Sequence, residues 1–297
     1  MARRPRVGQD MTMSTTPPII DNATAQDYAP QLYQTRHVVE PIDGLDAITD
    51  AHLEQYRELG FLSIANALSA EQVDAARAAL SDLIMGNNPQ FKGVQFEASA
   101  RERLDKLTLD QREAAVRKLM VFCDYDARLN AMKTDAPLMK LVRSLMHDRT
   151  PTCFQEMALL KPPGGREKPW HQDQAYFKVK LGEPVVGIWL AMDEAAVANG
   201  CMHVIPGSHR DGPVIHFQRR DWQICDTQVR TDQVVACPLS PGGVLLFDGL
   251  LHHGTPKNRT DQRRRALQFH YCPDDAEWAD EETRQANFGN KGKDVEC

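Results

Sequence analysis

Apolar residues in the first half of the chain recur at the spacing of amphipathic helices. The clearest case opens with a capping-box pattern from Ser69 to Gln72, and apolar positions then return every three or four residues. The positions that would share one helix face are Val73, Ala76, Ala79, Leu80 and Leu83. Thr49 and Asp135 are placed to cap two further helices, and a charged stretch over about 100–119 predicts another.

The pattern changes from about residue 152 to short apolar runs separated by Gly and Pro turns. One run covers 243–248 after a Pro-Gly-Gly turn, and another covers 263–271. Helices first and strands afterwards predict an α+β arrangement. Short strands of this kind favour a jelly-roll core, which holds a small site between two sheets.

These patterns predict one domain over 46–275, with a helical part at about 46–150 and the jelly-roll core at about 152–273. The segment 1–45 is rich in Pro, Thr, Gln and Asp and has no periodicity, which indicates a mobile or wrapping arm. The segment 276–297 is acidic and then rich in Gly, Asn and Lys, which predicts a polar tail that frays.

His171 and Asp173 are the first candidates for chemistry. In an extended segment, residues i and i+2 project to the same side, and Pro169 disfavours helix for the residue before it. Two histidines and one carboxylate can hold Fe(II) on one face and leave the opposite face open. A lone His-x-Asp triplet is also common in surface loops, so the hypothesis needs a third ligand.

Later strands offer a third ligand and a cationic partner, but spacing alone leaves both choices open. Adjacent strand residues face opposite ways, so only one of His252 and His253 can reach the metal. Alternation allows Arg264 to point inward, where it can hold a carboxylate as a planar fork, while Arg263 and Arg265 face water. Three arginines in a row are also typical of a solvated edge.

The segments around these residues resemble the phytanoyl-CoA dioxygenase family of Fe(II)/2-oxoglutarate-dependent oxygenases, over about residues 118–271. The motifs that carry the resemblance are Met157-Ala158-Leu159-Leu160-Lys161-Pro162-Pro163, Trp170-His171-Gln172-Asp173, Tyr176-Phe177, Trp189, Asn199-Gly200-Cys201, Ile205-Pro206-Gly207-Ser208-His209, Leu246-Phe247-Asp248, His253-Gly254-Thr255, Asn258 and Arg264. The resemblance implies a double-stranded β-helix (jelly-roll, cupin-like) core with flanking N-terminal helices.

The resemblance also decides between neighbouring residues. In the family, a glycine and a hydroxyl residue follow the second metal histidine, which implies His171, Asp173 and His253 as the iron ligands. The arginine eleven places after that histidine binds the keto acid, which implies Arg264. The other implied 2-oxoglutarate contacts are Thr255, Trp189, Met157, Lys118 and Gln172.

Some of these positions have simpler interpretations. Core packing alone would account for Trp189 and Met157, and a solvated helix lysine would account for Lys118. No site role is predicted for the remaining histidines of this region, which are His203, His209, His216 and His270.

The implied activity is that of a non-haem Fe(II)/2-oxoglutarate-dependent dioxygenase. Such an enzyme would use O₂ to hydroxylate an unactivated C–H bond of a small-molecule or acyl-type substrate, with release of succinate and CO₂. Asp173 argues against the halogenating relatives, which replace the carboxylate with a small residue. Two alternatives stay open: a catalytically silent paralogue that binds metal or 2-oxoglutarate, and an oxygenase that carries out desaturation or cyclisation in secondary metabolism.

Composition narrows the expected partners to a small-molecule substrate. The net charge of −6 and the isoelectric point of about 5.9 do not favour a nucleic-acid or anionic-membrane surface. The chain has no run of eighteen apolar residues, and its basic start lacks the apolar stretch of a secretory signal. Seven scattered cysteines fit reduced thiols, so a cytoplasmic location is expected. The oligomeric state and the substrate are not predicted.

Overall fold

Two β-sheets form the centre of the protein in this computed structural model, which describes residues 28–96 and 103–290. The strands are β1 (His37–Val38), β2 (Ile42–Asp43), β3 (Phe61–Ala65), β4 (Val94–Phe96), β5 (Val116–Met120), β6 (Pro151–Lys161), β7 (Lys168–His171), β8 (Val186–Ala191), β9 (Met202–Val204), β10 (His216–Gln218), β11 (Trp222–Ile224), β12 (Val235–Cys237), β13 (Val244–Asp248), β14 (His253–Thr255) and β15 (Arg264–Pro273). The helices are α1 (Asp50–Leu59), α2 (Ala70–Met85), α3 (Leu109–Ala115), α4 (Ala127–Lys133), α5 (Ala136–Leu145) and α6 (Glu281–Phe288).

The larger sheet has eight strands in the order β2-β3-β13-β8-β15-β6-β5-β4, and the smaller has five in the order β1-β12-β9-β14-β7. One core cluster joins the two sheets, with Trp189 and Leu245 from the larger and Met202 and Ala236 from the smaller. Strands β10 and β11 form a separate hairpin. This is the predicted α+β architecture with a jelly-roll core, and the site lies between its sheets.

The helices cover the outer face of the larger sheet. In the main core cluster, Leu80 of α2 and Leu138 of α5 pack with Leu246 of β13 and Phe269 of β15. The predicted caps are present: Thr49 and Asp135 precede α1 and α5, and a capping box opens α2. The sequence pattern therefore located these three helices correctly, because their caps and apolar faces agree with the fold.

The range 46–150 also contains strands: β3 agrees with the short strand that the apolar run 61–64 predicts, whereas β4 and β5 were not predicted. β4 pairs with β5, and β5 pairs with β6, so these strands extend the larger sheet. Lys118 therefore lies on β5 and not on a helix. Residues 97–102, which include the start of the charged helix predicted from about residue 100, lie outside the described residues.

Both ends of the described chain pack against the domain. Within the predicted arm, β1 pairs with β12 and β2 pairs with β3. Tyr33 stacks on Trp170 with a ring-centroid distance of 5.4 Å. The expectation of a frayed tail is wrong for α6, since Phe288 is buried against His216. The segments 1–27 and 291–297, which complete the predicted arm and tail, lie outside the described residues.

Two further sequence expectations concern membranes and thiols. Within 28–96 and 103–290, no helix combines the length and apolar character needed to cross a bilayer. In the part of the chain that the structure describes, five cysteines are free, namely Cys123, Cys153, Cys201, Cys237 and Cys272. Cys225 is disulfide-bonded, so the expectation of an entirely reduced set does not hold at that position.

Candidate active site

Three buried side chains meet between the sheets: His171 at the end of β7, Asp173 just after it, and His253 at the start of β14. One donor atom from each lies within 4.8 Å of the others. His171 and His253 are register partners across the β7–β14 pair, which explains why residues distant in sequence converge. Asp173 lies in a short 3-10 turn and not on the strand as expected. Extended backbone at Gln172 still directs both side chains of the His-x-Asp motif to one side.

The backbone fixes which nitrogen each histidine presents. The Nδ1 atom of His171 lies 2.7 Å from the Pro169 carbonyl oxygen, and that of His253 lies 2.9 Å from the Leu251 carbonyl oxygen. Only a protonated Nδ1 can donate to these carbonyl groups, so a neutral ring keeps its lone pair on Nε2, toward Asp173. Burial lowers the pKa of His171 to about 4, which keeps that ring neutral at ordinary pH. This donor set suits a divalent iron ion.

Two neighbours on β15 hold the carboxylate of Asp173. Gln268 Nε2 and His270 Nε2 each lie 2.8 Å from Asp173 Oδ2, whereas Oδ1 lies 3.2 Å from His171 Nε2. Burial alone would raise the pKa of Asp173, but His253 and His270 outweigh it and hold that pKa well below its usual range. The expectation that His270 has no role in the site was wrong, because its side chain contacts Asp173 of the candidate metal site.

The three residues open onto a cavity of about 580 Å³. Its floor is the inner face of the larger sheet. Across the β6–β15 pair, Lys161 lies opposite Arg264 and Met157 lies opposite Gln268. Across the β15–β8 pair, Gln268 lies opposite Trp189. The predicted residues that line this cavity are Lys118, Met157, His171, Asp173, Trp189, His253, Thr255 and Arg264. The fold therefore collects eight of the nine predicted site residues in one place.

Arg264 supplies a buried cation that the described protein leaves without full hydrogen bonding. Its side chain is 2% exposed, and its Nε and Nη1 atoms have no hydrogen-bond partner. The guanidinium carbon lies 5.0 Å from the ring centroid of Trp189, whose Nε1 atom is likewise buried without a partner. Unpaired buried donors are costly, so this end of the cavity is suited to an anionic group with several acceptor oxygens.

Of the two neighbouring arginines, Arg265 does not face water as expected, whereas Arg263 is partly exposed. Arg265 is 9% exposed and pairs with Asp193 at 2.8 Å, and Arg263 pairs with Glu113 of α3. The reason is that helices cover the outer face of this sheet, so β15 has no solvated side at this point. Only Arg264 of the three faces the cavity.

Thr255 and Lys161 lie beside Arg264. Lys161 Nζ lies 2.7 Å from Thr255 Oγ1 and 2.5 Å from the Pro256 carbonyl oxygen. Burial lowers the pKa of Lys161 well below its usual range, and the Arg264 charge lowers it further. Lys161 lies within one of the sequence motifs, but no site role was predicted for it. Its position opposite Arg264 follows only from the register of β6 and β15, which the sequence does not give.

Lys118 lines the cavity from β5, the strand next to β6 in the larger sheet. Burial lowers its pKa to about 8, and the nearby Lys168 and Arg117 charges act in the same direction. Met120 of the same strand also lines the cavity, while Leu119 packs into the core between helices and sheet. Lys118 and Met120 therefore share the face of β5 that lines the cavity, and Lys118 is not the solvated helix lysine considered from sequence.

Gln172 is the predicted contact that the structure does not bring to the cavity. Its amide nitrogen donates to the carbonyl oxygens of Gly212 and Leu250, and its amide oxygen accepts from the backbone of Val214. Through these hydrogen bonds, the Gln172 amide connects the His-x-Asp motif to the loops that contain Gly212, Val214 and Leu250. His252 is also turned away: it is absent from the three-residue cluster, and its backbone N–H donates to Ser208 Oγ.

Comparison with known proteins agrees with this geometry. The model of the family described as phytanoyl-CoA dioxygenase (PhyH) matches residues 56–266, which is well over half of the chain. This chain belongs to the phytanoyl-CoA dioxygenase family. A curated relative, phytanoyl-CoA dioxygenase domain-containing protein 1 of Danio rerio, is 26% identical over 280 residues, covering 82% of this chain and 96% of the relative.

Solved structures share the architecture. EvdO2 from Micromonospora carbonacea var. aurantiaca, crystallised with 2-oxoglutarate, is 26% identical with a TM-score of 0.61 and covers 78% of this chain and 97% of its own. The epimerase SnoN, crystallised with Fe³⁺, α-ketoglutarate and nogalamycin RO, is 20% identical with a TM-score of 0.60 and covers 78% of this chain and 88% of its own. At that identity the second likeness shows the fold alone.

Family membership and the buried His-Asp-His cluster together identify the class of enzyme. The protein is an iron- and 2-oxoglutarate-dependent dioxygenase of a family that acts on small molecules. The fold is the predicted double-stranded β-helix with helices added before it.

Proposed function

We propose that this dioxygenase hydroxylates a C–H bond of a small-molecule substrate in the cavity between its sheets, releasing succinate and CO₂. The observation that carries the proposal is the arrangement of His171, Asp173 and His253, with both Nε2 atoms fixed toward the carboxylate at the cavity wall. An intact carboxylate completes the ligand set of an oxygenase, and a halide site would require its absence.

In this proposal, His171, Asp173 and His253 would hold the iron ion through two imidazole nitrogens and one carboxylate. Fe(II) with 2-oxoglutarate and O₂ supplies the oxidising chemistry, in which one oxygen atom goes to succinate and the other to the substrate. The residues themselves orient the reactants, and the bonds from Gln268 and His270 keep Oδ2 occupied.

The keto acid is assigned to the end of the cavity that holds Arg264. The guanidinium can pair with the distal carboxylate as a planar fork, and the Thr255 hydroxyl can donate a further hydrogen bond. Trp189 and Met157 form the adjoining floor, and Lys118 adds an ammonium group to the lining from β5 of the same sheet. The unpaired donors of Arg264 and Trp189 support this assignment, because an anion there would satisfy them.

The rest of the cavity is suited to a substrate with an apolar part. Leu159, Leu160, Phe177 and Met202 line it together with Met157. Such walls exclude water from the reacting centre, which protects a reactive intermediate and strengthens the electrostatic interactions inside. The substrate is thus expected to place its reacting carbon against this wall, beside the three iron-binding residues.

The first test measures metal binding by the purified protein under anaerobic conditions. Co(II) or Mn(II) is titrated as a surrogate for Fe(II), and binding of one ion is expected in the wild type. His253→Ala should lose high-affinity binding, since one of three protein ligands is missing. His252→Ala is the matched control, because the neighbouring histidine faces away from the cluster. Retained binding in His253→Ala together with loss in His252→Ala would reverse the assignment.

The second test measures turnover. With Fe(II), 2-oxoglutarate and O₂, slow succinate release without substrate is expected, and a screen of candidate substrates should raise that rate. Mass spectrometry of the product then decides the reaction: gain of one oxygen atom supports hydroxylation, whereas loss of two hydrogens without oxygen gain identifies desaturation or ring closure. A stereochemical change at constant mass would identify epimerisation, the reaction named for SnoN.

A further inference from the structure

Lys161 and Arg264 place two positive charges side by side inside the cavity. They are direct partners across the β6–β15 pair, and their side chains are 7% and 2% exposed. Like charges directly opposite each other on one sheet face repel. In the described ranges 28–96 and 103–290, neither side chain forms an ion pair with a carboxylate. Two adjacent, buried basic side chains without an ion-pair partner are the feature expected of an anion site, because a bound anion would favour the charged form of both.

The hydrogen bonds of Lys161 determine the role of its neighbour Thr255. The ammonium group has three N–H donors and no acceptor, and its Nζ lies 2.7 Å from Thr255 Oγ1, 3.3 Å from the Thr255 carbonyl oxygen and 2.5 Å from that of Pro256. In the protonated form of Lys161, which a bound anion beside it favours, Thr255 Oγ1 therefore accepts from Nζ, and the hydroxyl proton points elsewhere. Since Thr255 lines the cavity, this proton is available to a bound acceptor.

We propose that Lys161 is a positioning and specificity-determining residue of the 2-oxoglutarate site. It fixes the Thr255 hydroxyl as a donor and adds a second positive charge beside Arg264, so that the site selects a keto acid with a distal carboxylate. The inference rests on the function proposed above, which assigns the keto acid to this end of the cavity.

A purely structural role for Lys161 makes a different prediction. If the lysine only ties the Thr255–Pro256 turn to β6, its loss loosens the cavity and weakens every keto acid alike. If it orients the Thr255 hydroxyl and adds positive charge near the distal carboxylate, its loss weakens 2-oxoglutarate binding much more than binding of a keto acid without that group. The ratio of the two affinities within one variant therefore separates the roles, because general loosening cancels from it.

The experiment uses Mn(II)-loaded full-length protein and isothermal titration calorimetry. The probes are 2-oxoglutarate and 2-oxopentanoate, which has the same carbon chain with a methyl group in place of the distal carboxylate. The wild type should prefer 2-oxoglutarate. Lys161→Met should reduce that preference by about tenfold or more, with 2-oxopentanoate affinity kept within about twofold. Lys257→Met, an exposed lysine on the following loop, is the matched control and should change neither affinity.

A second variant covers the case in which Lys161→Met does not fold. Lys161→Gln keeps two N–H donors for the Thr255 turn but removes the charge, so its preference for 2-oxoglutarate should also fall. An unchanged preference in either folded variant, or an equal loss for both keto acids, would overturn the role of Lys161. Failure of the wild type to bind or to discriminate the two keto acids would instead overturn the proposed function itself.

Discussion

The two hydrogen bonds to Asp173 Oδ2 give a prediction about metal affinity. Gln268→Leu removes one donor at 2.8 Å while keeping a side chain of similar size, and leaves His270 as the other donor. Asp173 is 5% exposed, so water cannot readily replace the lost bond. The carboxylate would then rotate more freely, and its Oδ1 atom would spend less time directed at the metal.

The size of the effect follows from the charge of the acceptor. A hydrogen bond to a charged group contributes about 1.5–3 kcal/mol, and loss of an outer-shell partner of a metal ligand typically weakens metal binding by about 10–100-fold. We therefore expect the dissociation constant for Co(II) to rise by about 10–100-fold in Gln268→Leu, which corresponds to about 1.4–2.7 kcal/mol. The double variant Gln268→Leu/His270→Phe, which lacks both donors, should bind Co(II) more weakly than either single variant.

The assay is an anaerobic titration followed by the visible absorption of bound Co(II), which also reports its coordination. Gln174→Leu is the matched control: this glutamine is also buried and adjoins Asp173, but its amide contacts the carbonyl oxygen of Val179 at 3.4 Å. An unchanged dissociation constant and Co(II) spectrum in a folded Gln268→Leu protein, or an equal loss in the control, would refute the reasoning.

Three other changes test separate parts of the structure. Arg264→Ala should raise the 2-oxoglutarate concentration needed for half-maximal succinate release by at least about tenfold, with partial rescue by lysine, which lacks the planar fork; an unchanged titration would remove Arg264 from the site. Asp173→Gly should abolish hydroxylation and leave room beside the metal for chloride or azide, so full activity in that variant would contradict its role as a ligand. Ser69→Ala, which removes the N-cap bond to the Gln72 backbone at 3.3 Å, should lower the free energy of unfolding by about 1 kcal/mol in urea denaturation without altering metal binding; an unchanged midpoint would mean that the cap contributes nothing.

Local signals in the sequence were sufficient for much of the fold. The capped helices α1, α2 and α5 were predicted because side chains near each helix start satisfy free backbone N–H groups. Strand β5 was not, because Val116, Leu119 and Met120 recur at i, i+3 and i+4, which is also the pattern of a helix. Pairing with β6 decides the conformation there, and pairing is a tertiary interaction that periodicity does not contain.

The candidate site shows the same division between local and tertiary information. Spacing could not choose between His252 and His253, and the family resemblance chose the one that the fold brings to Asp173. Alternation along β15 did contain an unused signal: Gln268 and His270 lie four and six residues after Arg264, so all three share one face of the strand. Applying the alternation past the arginine would have directed both side chains into the site.

The role of Lys161 could not be predicted from any single segment of the sequence. Its motif reads as a strand followed by two prolines, and an inward lysine on such a strand would normally be expected to be destabilising. Only the β6–β15 register places it opposite Arg264, and only the second sheet brings Thr255 within 2.7 Å of its ammonium nitrogen. The two cations repel each other without an anion, so the cost of burying them makes sense as part of a binding site. Among the described residues, the strongest functional signal therefore lies where two buried basic side chains have no carboxylate as an ion-pair partner.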